Sequence, residues 1–258
     1  MNETQVFVFM LVLTRVSAFV GFFTLFAFRQ IPSLVKVGLA VGLSIFWFGE
    51  ISGAVEAMPT IKVGILDGGM WIIREFIIGV MLAVALNLFF MPCKIAGAYL
   101  GQELGLSLAA ISNPGTPDSA TLITRVLETF TVILFFILNI HYFLLLTIDY
   151  SFKQISTKID VLNLPTEQLV TMLNDSCDYG LAIVAPVAVI FGIITVGLAI
   201  LNRAAPSLNL FSVGMSIRTG FGIFCLVALL PVLLNGLVGY LVRVQGDIEQ
   251  LLFALKNG

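Results

Sequence analysis

Hydrophobic positions in this chain neither alternate nor form narrow stripes; they come in runs of membrane length. Thr129–Ile148, Tyr179–Asn202 and Thr219–Val242 contain no charged residue, and Phe76–Cys93 is only slightly shorter. Val6–Phe28 and Val37–Phe48 are interrupted or bounded by Arg15, Arg29, Lys36 and Glu50. A helix needs roughly 20 apolar residues to cross the hydrocarbon core, so the pattern predicts an all-α, polytopic membrane protein of about six long hydrophobic helices. Pro231, Gly236 and Gly239 leave open a break in the sixth run that would turn the C-terminus back. Strands of an outer-membrane barrel alternate with period two, which these uniform runs do not.

The polar connections between the runs set a topology. Arg29–Lys36 is short and positive, Glu50–Asp67 is net negative and contains Pro59, and Asn202–Arg218 is again positive through Arg203 and Arg218. The positive-inside bias places the first and fifth connections in the cytoplasm and the second and fourth outside, with the N-terminus outside. In the fourth, Asp149–Asp178, the string Pro165-Thr166-Glu167 predicts a helix start, because proline and an early acid suit the first turn. The N-terminus lacks a basic n-region and a small-residue cleavage site, so Val6–Phe28 is expected to be a retained helix.

The third connection, Lys94–Glu128, differs from the rest. Gly97, Gly101 and Gly105 recur at four-residue spacing, which on a helix aligns bare positions on one face and lets another backbone approach closely. Leu106, Leu108 and Ile111 follow, and then Ser112–Ser119, where Asn113, Pro114, Gly115 and Pro117 stop any helix. Unpaired backbone groups are costly in lipid, so this loop lies either in solvent or inside protein facing an aqueous path. Composition leaves both placements open.

Bulk composition then excludes a water-soluble fold: 59% of the 258 residues are hydrophobic and 11% charged, and the mean hydropathy is +1.07. Soluble domains carry about 25% charged residues. A net charge of −2 gives no reason to expect a nucleic-acid partner. Cys93, Cys177 and Cys225 are an odd set at unrelated spacings and read as reduced packing residues.

Candidate chemistry is sparse. His141 is the one histidine, which excludes bis-histidine haem ligation and a histidine-rich zinc site within the chain. There is no CxxC, no phosphate-binding P-loop and no GxGxxG after a strand. The residues therefore predict no catalytic, metal or cofactor site, and His141 reads as hydrogen-bonded within a helical interface. Among charges near the membrane, Arg74 and Glu75 are read as beginning the third helix, Arg125 and Glu128 the fourth, and Asp149 as ending it. Arg15 lies mid-run and needs a buried partner.

Three strings carry a family resemblance. Ile31–Val41 (IPSLVKVGLAV), Gly97–Thr121 (GAYLGQELGLSLAAISNPGTPDSAT) and Leu201–Ile217 (LNRAAPSLNLFSVGMSI) resemble the FliR/SctT family of type III secretion export gates, in order and spacing over nearly the whole chain. Asn202, Arg203 and Pro206, followed by Asn209 and Phe211, are similar to that family's loop between its two last long helices.

The resemblance implies a structural pore or gate subunit without catalytic activity or cofactor, in the bacterial inner membrane at the flagellar basal body. Its implied partners are FliP-like and FliQ-like gate subunits around a central pore, FlhB-like and FlhA-like export components, membrane lipid and unfolded protein substrates. It further implies that residues 1–178 resemble FliP, that 179–258 form a FliQ-like hairpin, and that the family's plug falls on 105–121. The re-entrant placement of that loop then becomes the favoured one, with Leu106, Leu108 and Ile111 as the apolar seal. Some of the apolar runs would face sister subunits instead of lipid.

Two positions depart from the family pattern. Thr24–Phe28 has no proline at the end of the first run, and Ile140 stands where a glycine commonly precedes the histidine. The competing function is secondary transport of a small solute, which calls for inverted repeats that the chain does not display. An intramembrane enzyme would need paired catalytic residues.

Overall fold

The computed structural model describes residues 3–24, 32–55, 65–105, 122–155, 166–204 and 210–257. Eight α-helices occur among the described residues, and no strand does: α1 (Glu3–Phe22), α2 (Ser33–Val55), α3 (Ile65–Asn87), α4 (Met91–Glu103), α5 (Leu122–Ile137), α6 (Ile140–Ile155), α7 (Thr166–Ala204) and α8 (Leu210–Asn257). A 3₁₀ turn, Leu88–Phe90, joins α3 to α4. Among the described residues, five stretches are long and apolar enough to cross a membrane: Thr4–Phe22, Ser33–Glu50, Asp67–Glu103, Glu167–Leu201 and Ser216–Gln250. A sixth arises if the bent pair α5 and α6 counts as one span. The chain is an all-α polytopic membrane protein.

Helix boundaries correct the sequence reading at several points and close the question it left open on the last run. The second connection is shorter than Glu50–Asp67, because α2 runs on to Val55 and α3 starts at Ile65 with Asp67 in its first turn. An acid there interacts favourably with the helix dipole, and as a result Glu75 sits mid-helix and not at a helix start. Thr129–Ile148 is not one helix, since the chain breaks at Leu138–Asn139, where Asn139 takes φ 57°. Asparagine is one of the few residues that tolerates this left-handed conformation. Asp149 does not end its helix, which continues to Ile155. The last run does not turn back: α8 continues through Pro231 to Asn257, as α7 does through Pro186. Apolar surroundings leave freed backbone groups no water, so the helical path persists around membrane prolines. The start of α7 at Thr166, one residue after Pro165, is where Pro165-Thr166-Glu167 places it.

The chain divides into two compact units. The first comprises residues 1–87, 142–169 and 248–258 and contains α1, α2, α3 and nearly all of α6. Its interior holds Val16, Phe19, Phe23, Ile78, Leu82, Trp47 and Phe152. The Phe19 and Phe23 rings stack at 5.3 Å, and Trp47 lies 5.7 Å from Phe152. Gly79 lets α3 press against α1, since a Cβ there would collide with the Arg15 carbonyl and the Ala18 side chain. Asn87 closes the end of α1: its Oδ1 accepts the Thr24 N–H at 2.6 Å and its Nδ2 donates to the Phe22 carbonyl at 2.8 Å.

The second unit comprises residues 88–141 and 170–247. Cys93, Ala96, Leu100 and Leu104 of α4, Ile123 and Leu127 of α5, Val184, Val187 and Phe191 of α7, and Leu233 and Leu237 of α8 make one apolar core. The 3₁₀ turn is held from two sides. Phe135 packs its ring against Phe89 and Phe90, and the Tyr240 hydroxyl donates to the Leu88 carbonyl at 2.7 Å. Tyr240 also lies 2.6 Å from the Ser176 hydroxyl, which ties α7 into the same contact.

Candidate functional site

Two polar constructions stand out against the apolar background, one in each unit. In the first unit, Arg15 is 2% exposed on α1 and its Nε donates to Glu75 Oε2 of α3 at 2.5 Å. Its Nη1 donates to Ser151 Oγ of α6 at 2.9 Å, and the guanidinium lies 4.4 Å above the Phe152 ring. A buried charge persists only when it is paired and hydrogen-bonded. Three helices, drawn from positions 15, 75 and 151–152, are thereby pinned at one point. The arrangement neutralises Glu75, so it supplies packing and no free carboxylate.

In the second unit, α4 and α5 form a hairpin whose connection is residues 106–121. Gly97 of α4 meets Thr124 of α5 so closely that a Cβ would stand 2.5 Å from the Thr124 Cα. Further along the same interface, Cys93 Sγ is hydrogen-bonded to Thr131 Oγ1. Thr131 donates to the Leu127 carbonyl at 2.9 Å, so its proton is committed and the thiol is the donor. At its other end α4 stops where Gly105 takes φ 72°, with the Gly105 N–H on the Gln102 carbonyl at 3.0 Å. A left-handed glycine after the last turn is a common helix stop.

The residues singled out from sequence fall as follows. Gly97 is at the α4–α5 contact, Gly101 is buried on α4, and Gly105 lies beyond the helix end, so the three do not share one helical face. Leu106, Leu108, Ile111, Asn113, Pro114, Gly115 and Pro117 lie outside the described residues, as do Pro206 and Asn209. Asn202 and Arg203 belong to the last turn of α7, and Phe211 to the first turn of α8. The His141 ring lies 5.3 Å from the Phe136 ring at a tilt of 44°, and Ile140 is fully buried.

Sequence reasoning missed Ser151 and Phe152 as partners of Arg15, Thr124 as the counterpart of Gly97, and Tyr240 as the clasp of the 3₁₀ turn. One signal was available: an acid inside an apolar run calls for a basic partner, and Glu75 within Ile65–Asn87 is such an acid. The cysteines carry free thiols, and no group of three or more His, Cys, Asp or Glu that could hold a metal occurs among the described residues.

Much of the remaining surface is apolar. Val189, Ile193, Val196 and Ile200 are exposed along α7, Phe221, Phe224 and Val227 along α8, and Leu34, Val37, Ile45 and Phe46 along α2. Comparison with known proteins matches the sequence to a family described as "Bacterial export proteins, family 1", over residues 6–243. The chain belongs to bacterial export proteins family 1.

Relatives in the family share about a quarter of their residues with this export protein. It is 26% identical over 231 residues to the flagellar biosynthetic protein FliR of Bacillus subtilis (strain 168), covering 87% of this chain and 86% of that one. The protein of the same name from Escherichia coli (strain K12) is 24% identical over 224 residues, covering 86% and 83%. That of Caulobacter vibrioides is 24% identical over 234 residues, covering 90% of each. The family match begins within α1 and ends within α8. Both the Arg15 pin and the α4–α5 hairpin of this export protein therefore lie inside it.

Proposed function

We propose that this chain is a gate subunit of a flagellar type III export apparatus in the bacterial inner membrane, a passive path for unfolded protein chains. The observation that carries the reading is the family match over residues 6–243, to a family of export proteins whose curated relatives are named for flagellar biosynthesis. The fold supports it. The long helices α7 and α8 leave most of their apolar length uncovered by the chain itself, as helices do that serve lipid or sister subunits. The sister subunits are FliP-like and FliQ-like chains, with FlhB-like and FlhA-like export components beside them.

In this reading residues 105–121 are the plug, with Leu106, Leu108 and Ile111 sealing and Asn113, Pro114, Gly115 and Pro117 keeping the segment non-helical. Residues 1–178 act as the FliP-like part and 179–258 as the FliQ-like hairpin, whose loop includes Asn202, Arg203, Pro206, Asn209 and Phe211. Gly97 and Gly101 give the plug a close-packed base. The protein breaks no bond and holds no cofactor in this role. A solute transporter would want a free acid at mid-helix for ion coupling, and Glu75 is neutralised by Arg15.

The test is to tag the full-length chain, extract it in mild detergent and identify what travels with it. Stable complexes with FliP-like and FliQ-like chains are expected; a monodisperse monomer that binds a small solute would refute the reading. In the assembled machine, deleting Ser112–Ser119 or replacing Gly115 should let small ions leak, and a tight membrane would remove the plug from the proposal.

A further inference from the structure

Charge is distributed unevenly along α7 and α8. Residues 179–246 contain Arg203, Arg218 and Arg243 and no aspartate or glutamate. Arg218 and Arg243 bound the uncharged run Thr219–Val242 of α8. At the rise of a helix that run is ~36 Å long, which sets the two arginines at opposite edges of a hydrocarbon core of ~30 Å. At one edge Arg243 is matched: its Nη2 lies 3.3 Å from Asp175 Oδ2, and its Nη1 donates to the Tyr179 hydroxyl at 2.7 Å. At the other edge Arg218 donates from Nη2 to Thr195 Oγ1 at 2.7 Å, and among the described residues no carboxylate pairs with it. Thr195 is set up as an acceptor, because its own hydroxyl proton goes to the Phe191 carbonyl at 2.8 Å. The packing of α8 on α7 fixes the level of the pair: Gly214 lies against Leu198 and Gly222 against Phe191, with Arg218 and Thr195 between. The side chains flanking them along the two helices, Ile193, Val196, Ile217 and Phe221, are apolar and exposed.

We propose that Arg218, oriented by Thr195, binds the phosphate of an anionic phospholipid headgroup at the membrane edge. A cation at that depth calls for an anion, and residues 179–246 supply none. Thr195 takes one N–H of the guanidinium, and the rest of its donor fork suits the oxygens of a phosphate. Two observations favour a lipid over a carboxylate on another protein. The site closes an uncharged run of membrane length, which is where headgroups lie. This end of the helix pair is also basic through the exposed Arg203, the sign that the positive-inside bias assigns to the cytoplasmic leaflet with its anionic lipid. Lipid binding of this kind needs only the membrane fold and is independent of the gate role.

The experiment uses the full-length chain, extracted in mild detergent with whatever subunits accompany it and reconstituted in phosphatidylcholine vesicles. The vesicles carry a small share of phosphatidylglycerol with a photoreactive diazirine beside its headgroup, and the peptides labelled on irradiation are mapped by mass spectrometry. Labelling should centre on the peptides around Thr195 and Arg218. Arg218→Gln should lower it roughly fivefold, the factor for the ~1 kcal/mol that one basic side chain contributes at an anionic surface. Arg218→Lys keeps the charge and should retain most of the labelling. Arg218→Gln strands no carboxylate of residues 179–246, so it should accumulate as the wild type does. If it does not, the wild-type chain carries the comparison, and phosphatidylcholine bearing the same diazirine should label these peptides several-fold less than phosphatidylglycerol.

Unchanged labelling of Arg218→Gln overturns the proposal, as does equal labelling of the wild type by the two lipids. Inorganic phosphate that suppresses labelling as well as unlabelled phosphatidylglycerol does would make the ligand a free anion and overturn the lipid. Loss of a co-purifying subunit from Arg218→Gln with labelling unchanged would give the guanidinium to a protein carboxylate instead.

Discussion

Arg15 shows how a charge survives in the middle of an apolar helix. The guanidinium has a carboxylate at 2.5 Å, a hydroxyl at 2.9 Å and an aromatic face at 4.4 Å, so it is paired rather than solvated. Removing one partner of a buried pair leaves the other uncompensated, and Arg15→Ala should cost ~3–5 kcal/mol. Replacing both, with Arg15→Met and Glu75→Leu, should recover most of that loss. Denaturant titration of the detergent-solubilised chain reads both values; equal losses for single and double variants would contradict the pairing. At Gly97 the obstacle is steric, because an added methyl meets the Thr124 backbone and neither helix can yield locally. Gly97→Ala should destabilise by ~1–3 kcal/mol, as overpacking does, seen as a lower melting temperature. The need for a partner to Arg15 was legible in the sequence. Its identity was not, because Glu75 and Ser151 lie 60 and 136 positions away.

Among elements, the break between α5 and α6 was the hardest to read. Thr129–Ile148 is uncharged throughout, and hydropathy carries no mark of where a helix changes direction. The cue is Asn139, which sits at φ 57° with its N–H on the Phe136 carbonyl at 3.1 Å. Asn139→Gly should be neutral within about 0.5 kcal/mol, and Asn139→Val, β-branched at a positive φ, should lose ~1–3 kcal/mol. Comparing the melting temperatures of the two variants tests the conformation directly. Pro231 taught the opposite lesson, since a residue that stops helices in water leaves α8 continuous to Asn257. Circular dichroism of Pro231→Ala should show no gain in helix, whereas a clear gain would mean that the proline interrupts α8.

For the molecule as a whole, the governing quantity is apolar surface that the chain cannot cover by itself. Ile193, Val196 and Phe224 are each exposed by 60% or more. Such a surface needs lipid or a neighbouring subunit. The chain should stay with the membrane fraction through an alkaline carbonate wash, and release of most of it into the supernatant would contradict the integral assignment. In the proposed gate role, the chain expressed without sister subunits should accumulate to lower levels than in the complete machine, measured by immunoblot.

Run length and charge content alone determined that the chain is helical and membrane-embedded, because the cost of burying backbone and charge in lipid depends on local composition. The strings Ile31–Val41, Gly97–Thr121 and Leu201–Ile217 carried the family resemblance. Tertiary structure decided the rest: which acid meets Arg15, that Gly97 faces Thr124, and that Asn139 breaks a run. Each of these depends on which distant segments pack together, and an apolar run bears no mark of its neighbour, because dispersion and burial are non-directional.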